Sequence, residues 1–397
     1  MIKQIKICDF KSIREVVLDL EPVTVLVGRS GTGKSNIMQA IRFLRNVLLN
    51  QEQAVNYELG WQQIVPVGEK EPKTSIEVVF SVPGENTDYN YRIAFATNPP
   101  HSPAHMLQFE RLSLGEEVLF SRSRVGSSSQ GHQWKWEKSP DTSNPVHPSD
   151  HPMLGNFPSL QKVVFAYAAL STGIGYYHFP ASTLTATGQA NHGGDFLKHI
   201  QGLSDNAANY REIMRSITQD FHHPNIRKSL FASLQAVNPS IASIELDSLT
   251  NPQRAIVGHR VNGKIFELSL EQESDGFRRF YAHLLALYQS PPKLTLIFEE
   301  PENAIFPGAL SLLADEFKAA PRENRGQVIL TTHNPTFLDS FDVENIRVVE
   351  IQEGKTVVGP VSKEQRDAVR DRLLTTGELL TVETPRLETT ISPEPVA

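Results

Sequence analysis

Residues Gly28 to Ser35 read Gly-Arg-Ser-Gly-Thr-Gly-Lys-Ser and fit the pattern G-x-x-x-x-G-K-[ST]. Glycines in such a run let successive backbone N–H groups turn inward on a phosphate. A helix expected from about Ser35 adds the positive end of its dipole. Lys34 would then reach the β- and γ-phosphates, and the Ser35 hydroxyl would ligate Mg2+. The whole run Gly28, Arg29, Ser30, Gly31, Thr32, Gly33, Lys34 and Ser35, with Asn36 after it, is the expected cradle for ATP.

Three further stretches carry groups suited to the same reaction. Leu294–Phe298 is an apolar run that ends in Glu299-Glu300-Pro301-Glu302. A buried strand of this kind delivers carboxylates to the carboxyl end of a parallel sheet, where ligands bind. Glu299 would hold Mg2+, and Glu300 would orient or deprotonate the attacking water. Glu273-Ser274-Asp275-Gly276 precedes a helix, so Ser274 and Gly276 offer a hydroxyl and backbone N–H groups to an anion; an ordinary helix cap reads the same way. Thr331-Thr332-His333-Asn334-Pro335 closes another apolar run, and a histidine there could sense a γ-phosphate or simply be satisfied within the turn.

These groups must be positioned by a buried sheet. Val23–Val27 is a continuous apolar run directly before the loop, the pattern of a strand buried on both faces. Ile37, Ile41, Leu44 and Leu48 align on one face of the helix that follows. Residues 1–7 and 14–20 alternate like two short strands, and residues 74–137 alternate like antiparallel ones. Residues 194–236 have a helical pattern with a break at Pro224. Asn262-Gly263 is a favoured two-residue hairpin turn between 254–261 and 264–270. Phe277, Tyr281, Leu284 and Tyr288 align on a helix. The expected division is 1–57 and 246–360 for the two halves of the ATPase core and 58–190 for an antiparallel region. Residues 121–158 within that region are expected to be an irregular insertion, 191–245 a helical subdomain and 361–397 a C-terminal segment, disordered from about 383. His132, His147 and His151 in the insertion match no metal-ligand spacing and read as loop residues.

Composition narrows the class. With 397 residues and a formal net charge of −7, the chain is large enough for two or three units and is no whole-surface nucleic-acid binder. The single cysteine, Cys8, excludes an intrachain disulfide and suits a reducing compartment. The start lacks the apolar run of a signal peptide, and no stretch approaches 18 consecutive apolar residues. A cytoplasmic protein without membrane contact is expected.

The order of these motifs resembles the ABC-type ATPase heads of the RecF/SMC-like group, and most of all its stand-alone predicted AAA-type ATPases. Phe10-Lys11-Ser12, the Gly28–Asn36 loop, the Glu299–Pro307 stretch and Gly193-Gly194-Asp195-Phe196-Leu197 carry the likeness, which spans most of residues 1–360. The resemblance implies an α/β P-loop NTPase with ABC-type head architecture, an antiparallel β subdomain and a helical insertion. It also implies an ATP-sandwiched homodimer. Ser274 and Gly276 of one subunit would face the phosphate loop of the other, His333 would contact the γ-phosphate, and Glu300 would be the catalytic carboxylate. Departures are visible. Arg29-Ser30 replaces the usual Pro-Asn, Ala304-Ile305-Phe306-Pro307 stands where Gly-Leu-His-Pro is common, and Glu299 where many relatives have Asp. The glutamine that senses Mg2+ in the family has no assigned position, since Gln62 and Gln63 stand early. Related OLD nucleases carry a C-terminal nuclease domain, for which the 64 residues after His333 are too few.

The implied activity is Mg-dependent ATP hydrolysis that regulates a partner effector, such as a nuclease, in DNA maintenance or anti-phage defence. Alternatives are a RecF-like repair protein that binds DNA directly and a nucleotide-gated scaffold with little turnover. A transporter subunit fits less well, because Ser274 is followed by Asp-Gly-Phe-Arg rather than Gly-Gly-Gln.

Overall fold

Val23–Val27 and Gln327–Thr331 are strands with every side chain buried, and Thr295–Glu299 is buried up to its last residue. Side chains alternate across a strand, so such runs need apolar cover on both faces of their sheet. The computed structural model shows how that cover is built. It describes residues 1–58, 60–68, 72–95, 107–128, 131–139, 152–157, 160–185, 202–219, 224–247 and 254–388.

In chain order the strands are β1 (Ile2–Phe10), β2 (Ile13–Asp19), β3 (Val23–Val27), β4 (Ser75–Phe80), β5 (Tyr89–Phe95), β6 (Leu107–Leu114), β7 (Glu117–Ser128) and β8 (Gly131–Lys138). They continue as β9 (Ile174–Tyr177), β10 (Ile241–Leu246), β11 (Ala255–Val261), β12 (Lys264–Ser269), β13 (Thr295–Glu299), β14 (Gln327–Thr331), β15 (Ile346–Gln352) and β16 (Lys355–Pro360). The helices are α1 (Lys34–Leu49), α2 (Gln51–Tyr57), α3 (Gln161–Leu170), α4 (Tyr210–Gln219), α5 (Pro224–Val237), α6 (Asp275–Tyr288), α7 (Pro307–Arg322), α8 (Pro335–Leu338), α9 (Lys363–Arg370) and α10 (Glu378–Thr381).

The central sheet runs β16-β15-β3-β14-β13-β9, parallel except for β16. Val25, Val27, Leu296, Phe298, Val328 and Leu330 point to one core, which α6 and α7 cover. Leu26, Ile297, Ile329 and Val349 point to the other, which is filled by α1 and by the second sheet. That sheet is antiparallel, in the order β2-β1-β4-β5-β6-β7-β8. A separate three-stranded sheet β10-β11-β12 packs Ile241, Ala255 and Val257 into the first core. Its hairpin turns at Asn262 and Gly263, both at positive φ (51° and 77°), as the dipeptide requires.

Three expectations need correction. Residues 121–138 are not irregular: β7 and β8 pair and extend the antiparallel sheet. Serine- and glycine-rich composition hid them, but Arg122 lies over the Trp134 ring at 4.3 Å and fixes the pair. Residues 383–388 are ordered as well. Leu387 bridges to Val361, Ser362 N–H donates to Arg386 O at 2.7 Å, and Arg366 pairs with Glu388 at 2.9 Å. Backbone pairing and one apolar anchor outweigh the local composition there. Finally, β9 lies within the region expected to be antiparallel, yet it pairs parallel with β13. His147, His151, the Gly193–Leu197 motif and residues 389–397 lie outside the described residues, as does the side chain of His132.

Glu110 and Arg122 are both fully buried and pair at 2.7 Å. Glu110 also accepts from the Tyr91 hydroxyl and from the N–H groups of Met153 and Leu154. Arg122→Ala leaves that carboxylate short of its cation. The variant should lose about 3–5 kcal/mol of stability in chemical denaturation; a loss below about 0.5 kcal/mol would refute the role assigned to the pair.

Candidate functional site

The phosphate loop, the Glu299–Glu302 acids and the His333 turn each sit where a parallel strand ends. The chain leaves β3 into the Gly28–Ser35 loop and enters α1 with Gly33 as N-cap. No side chain caps this helix start, so its first-turn N–H groups are not claimed by a capping side chain. Gly28 (φ 151°) passes so close to β15 that a Cβ would meet the Val349 carbonyl oxygen at 2.1 Å. Lys34 is 5% exposed and its Nζ donates to the Gly28 and Arg29 carbonyls at 2.8 and 2.9 Å. Burial lowers its pKa, which the nearby Glu300 charge partly restores. Thr32 Oγ1 donates back to Arg29 O at 2.9 Å and tightens the turn, while Arg29, Ser30, Gly31 and Ser35 are exposed.

The end of β13 supplies the acids. Glu299 is mostly buried, and its Oε1 has no hydrogen-bond partner. The Tyr176 hydroxyl has a pKa pushed well up, by burial first and by Glu299 second. Glu300 takes a left-handed backbone (φ 44°), a strained choice for a side-chain-bearing residue. Its N–H donates to Thr331 Oγ1 at 3.1 Å, and its Oε2 accepts from Asn303 Nδ2 at 2.8 Å. His333 Nε2 lies 3.6 Å from Glu300 Oε1. Burial and the Lys34 charge lower the His333 pKa, against the pull of Glu300. Lys34, Glu300 and His333 come from three distant stretches, and the fold brings their charges within mutual reach.

Glu302 stands beside this group of residues, and the sequence offers no role for it. It is 7% exposed, and its Oε1 accepts from Thr332 Oγ1 at 2.6 Å and from His333 N–H at 3.1 Å. The carboxylate thus holds the turn that presents His333. The only signal for it was its membership in the acidic quartet.

Ser274 and Gly276 are placed differently. Ser274 caps α6 by accepting from Phe277 N–H at 3.2 Å, so the ordinary helix-cap reading is realised within the subunit. Gly276 lets the turn pack on the loop after β13, since a Cβ there would meet Ala304 O at 2.7 Å. Arg279 Nη1 ties the same two parts by donating to Asn303 O at 2.9 Å. Arg278, 7% exposed, anchors the turn through the Glu271 and Glu273 carbonyls and reaches Thr183 O at 3.2 Å. Glu273 is also held by His259 Nε2 at 2.7 Å, whose Nδ1 meets Ser240 Oγ at 3.0 Å. Among the described residues, no hydrogen bond or ion pair joins Ser274 or Gly276 to residues 28–35 of the same chain. Ser274 itself is exposed.

Two clefts flank the phosphate loop. One of about 690 Å³ is lined by Lys11, Ser12, Arg42, Glu58, Gln62 and Gln63. Gln62 and Gln63 thus share a cleft with Ser12, the hydrogen-bond partner of Asn36. Asn36 faces this side, donating to Ser12 Oγ at 2.7 Å. The other cleft, of about 630 Å³, runs from Gly28–Thr32 and His333 to Leu380 and Pro385.

The residues present fit a Mg2+ ion held with a nucleotide. Glu299 has a buried, unpartnered carboxylate oxygen, and Ser35 has an exposed hydroxyl. Among the described residues no group of three His, Cys, Asp or Glu could hold a metal alone. Mg2+ commonly takes one or two protein ligands and completes its shell with phosphates and water.

Residues 1–131 match the family model described as AAA ATPase domain. Residues 179–339 match the model described as AAA domain, putative AbiEii toxin, Type IV TA system. No curated protein matches the chain. Similar solved structures include an SMC head bound to the C-winged helix domain of ScpA. It is 15% identical, with a TM-score of 0.54, and the match covers 92% of this chain and 99% of that one. Another is an Smc head with an extended coiled coil bound to the C-terminal domain of ScpA, from Pyrococcus furiosus. It is 13% identical, with a TM-score of 0.52, and the match covers 94% of this chain and 99% of that one. Among the described residues, no helix is long and apolar enough to cross a membrane. The chain thus has an α/β P-loop NTPase fold of SMC-head architecture, and two of its segments match AAA-type domain models.

Proposed function

We propose that this chain binds Mg-ATP at Gly28–Asn36 and hydrolyses it in a sandwich of two copies. The convergence of Lys34, Glu300 and His333 at one end of the parallel sheet carries the reading. Lys34 neutralises phosphate charge, and Ser35 and Glu299 would hold the cation, which when bound would offset further phosphate charge. Glu300 Oε1 takes the proton of the attacking water. Its Oε2 is steadied by Asn303, and His333 contacts the γ-phosphate. The exposed Ser274 hydroxyl and the Gly276 turn complete the site of the partner copy, because they lie apart from their own loop.

The setting we infer is cytoplasmic, with the ATP-bound dimer controlling an effector. The description of the model matching 179–339 names a toxin of a Type IV TA system, which favours anti-phage defence over repair. The SMC heads bound to ScpA show that this architecture can carry a second protein.

Lys34→Ala removes the main cation and should weaken Mg-ATP binding at least about tenfold to a hundredfold by calorimetry; unchanged affinity would sink the assignment. Glu300→Gln should keep ATP binding while slowing turnover about 10²- to 10⁴-fold, and the ATP-bound dimer should accumulate. Wild-type turnover in that variant would move the base elsewhere. Ser274→Arg should leave nucleotide binding by single subunits intact but abolish ATP-dependent dimers in light scattering. Normal dimers would reject the composite site.

A further inference from the structure

The phosphate loop is braced by a residue that no motif marks. Thr356 lies on β16, 324 positions from Thr32, and is fully buried. Its Oγ1 donates to the Thr32 carbonyl at 3.0 Å. The same Oγ1 lies 3.1 Å from Ser12 Oγ, and Ser12 Oγ accepts from Asn36 Nδ2 at 2.7 Å.

The direction of this chain follows from proton counting. A hydroxyl has one proton and a carbonyl has none to give. The Thr356 proton is committed to Thr32 O, so Ser12 must donate to Thr356. The order is therefore Asn36 Nδ2–H to Ser12 Oγ–H to Thr356 Oγ1–H to Thr32 O. Each donor in such a chain is polarised by the one before it. The same two hydroxyls also explain the glycine: a Cβ on Gly33 (φ 104°) would meet Thr356 Oγ1 at 2.6 Å and Ser12 Oγ at 3.1 Å.

In a trans peptide the C=O of one residue and the N–H of the next lie in one plane and point in opposite directions. Pinning Thr32 C=O toward β16 therefore aims Gly33 N–H to the other side of the loop. In a phosphate cradle that N–H is one of the donors to the anion.

We propose that Thr356 is a positioning residue of the phosphate site: its hydroxyl presets the Thr32–Gly33 peptide so that Gly33 N–H faces the bound phosphate. The inference rests on the nucleotide reading of the loop. It makes the C-terminal hairpin β15–β16 part of the binding site through its contact with the loop backbone. The hydroxyl is the active feature and the methyl is not, so two near-isosteric changes separate positioning from packing.

Mg-ATP affinity is measured by calorimetry for the wild type, Thr356→Val and Thr356→Ser, with thermal unfolding recorded for each. Thr356→Val keeps the shape and removes the proton; it should weaken Mg-ATP about tenfold at a temperature where the variant is still fully folded. Thr356→Ser keeps the proton and should retain affinity within about twofold of the wild type. Val binding as the wild type does, or Ser weakened as much as Val, overturns the proposal. Should Val fail to fold, Thr356→Ala takes its place with the same expected loss of affinity. Lys34→Ala is the control: a wild type that binds no Mg-ATP, or a Lys34 variant that binds it unchanged, overturns the nucleotide reading itself.

Discussion

The burial of the central sheet on both faces is the constraint on which the rest of the structure depends. β3, β13 and β14 lie side by side and parallel, so their carboxyl ends fall on one edge. That edge receives the phosphate loop, the Glu299–Glu302 acids and the Thr332–His333 turn. Register does the fine placement: Glu299 pairs with Thr331, and Thr331 with Leu26, which puts residues from three regions within a few ångströms. Nothing local to any of these segments would bring them together. Apolar side chains pointing alternately into two cores do so, and they tolerate the polar loops because those loops begin where the cores end.

Polar groups then refine what the sheet has placed. Glu302 Oε1 accepts from Thr332 and from the His333 backbone while its Oε2 is buried without a partner, and burial raises its pKa against those hydrogen bonds. Thr356 and Ser12 act likewise on the phosphate loop. The turn at Ser274 is clamped by Arg278 and by the His259–Glu273 pair, and it packs on Ala304 through Gly276. The turn and the loop after β13 thus form one packed body within the subunit. A nucleotide bound by a partner copy at Ser274 would press on the same body that carries Asn303 and Glu300.

The sequence made the strand ends legible because their chemistry is local. Gly28–Ser35, Glu299–Glu302 and His333 each follow an apolar run, and the loop pattern has few alternative uses. The Asn262-Gly263 hairpin was legible for the same reason. What stayed hidden depends on distant contacts. Trp134 and Arg122 order a stretch whose composition reads as irregular, and Leu387 orders part of a tail rich in Pro, Glu and Thr. Thr356 has no motif at all, since a threonine in a strand is ordinary until the loop it touches is known. Ser274 lies between these cases: the sequence offered both a helix cap and an anion site, and the fold realises the cap while leaving its exposed side free for the second use.

The central claim is that each nucleotide lies between Lys34 of one copy and Ser274 of another. Mixing two inactive variants, Lys34→Ala and Ser274→Arg, tests it most directly. A mixed dimer would contain one site with both changes and one with neither. The account predicts that ATP hydrolysis, absent from each variant alone, returns on mixing at a fraction of the wild-type rate. Two variants that stay silent together, while each still folds, would contradict it.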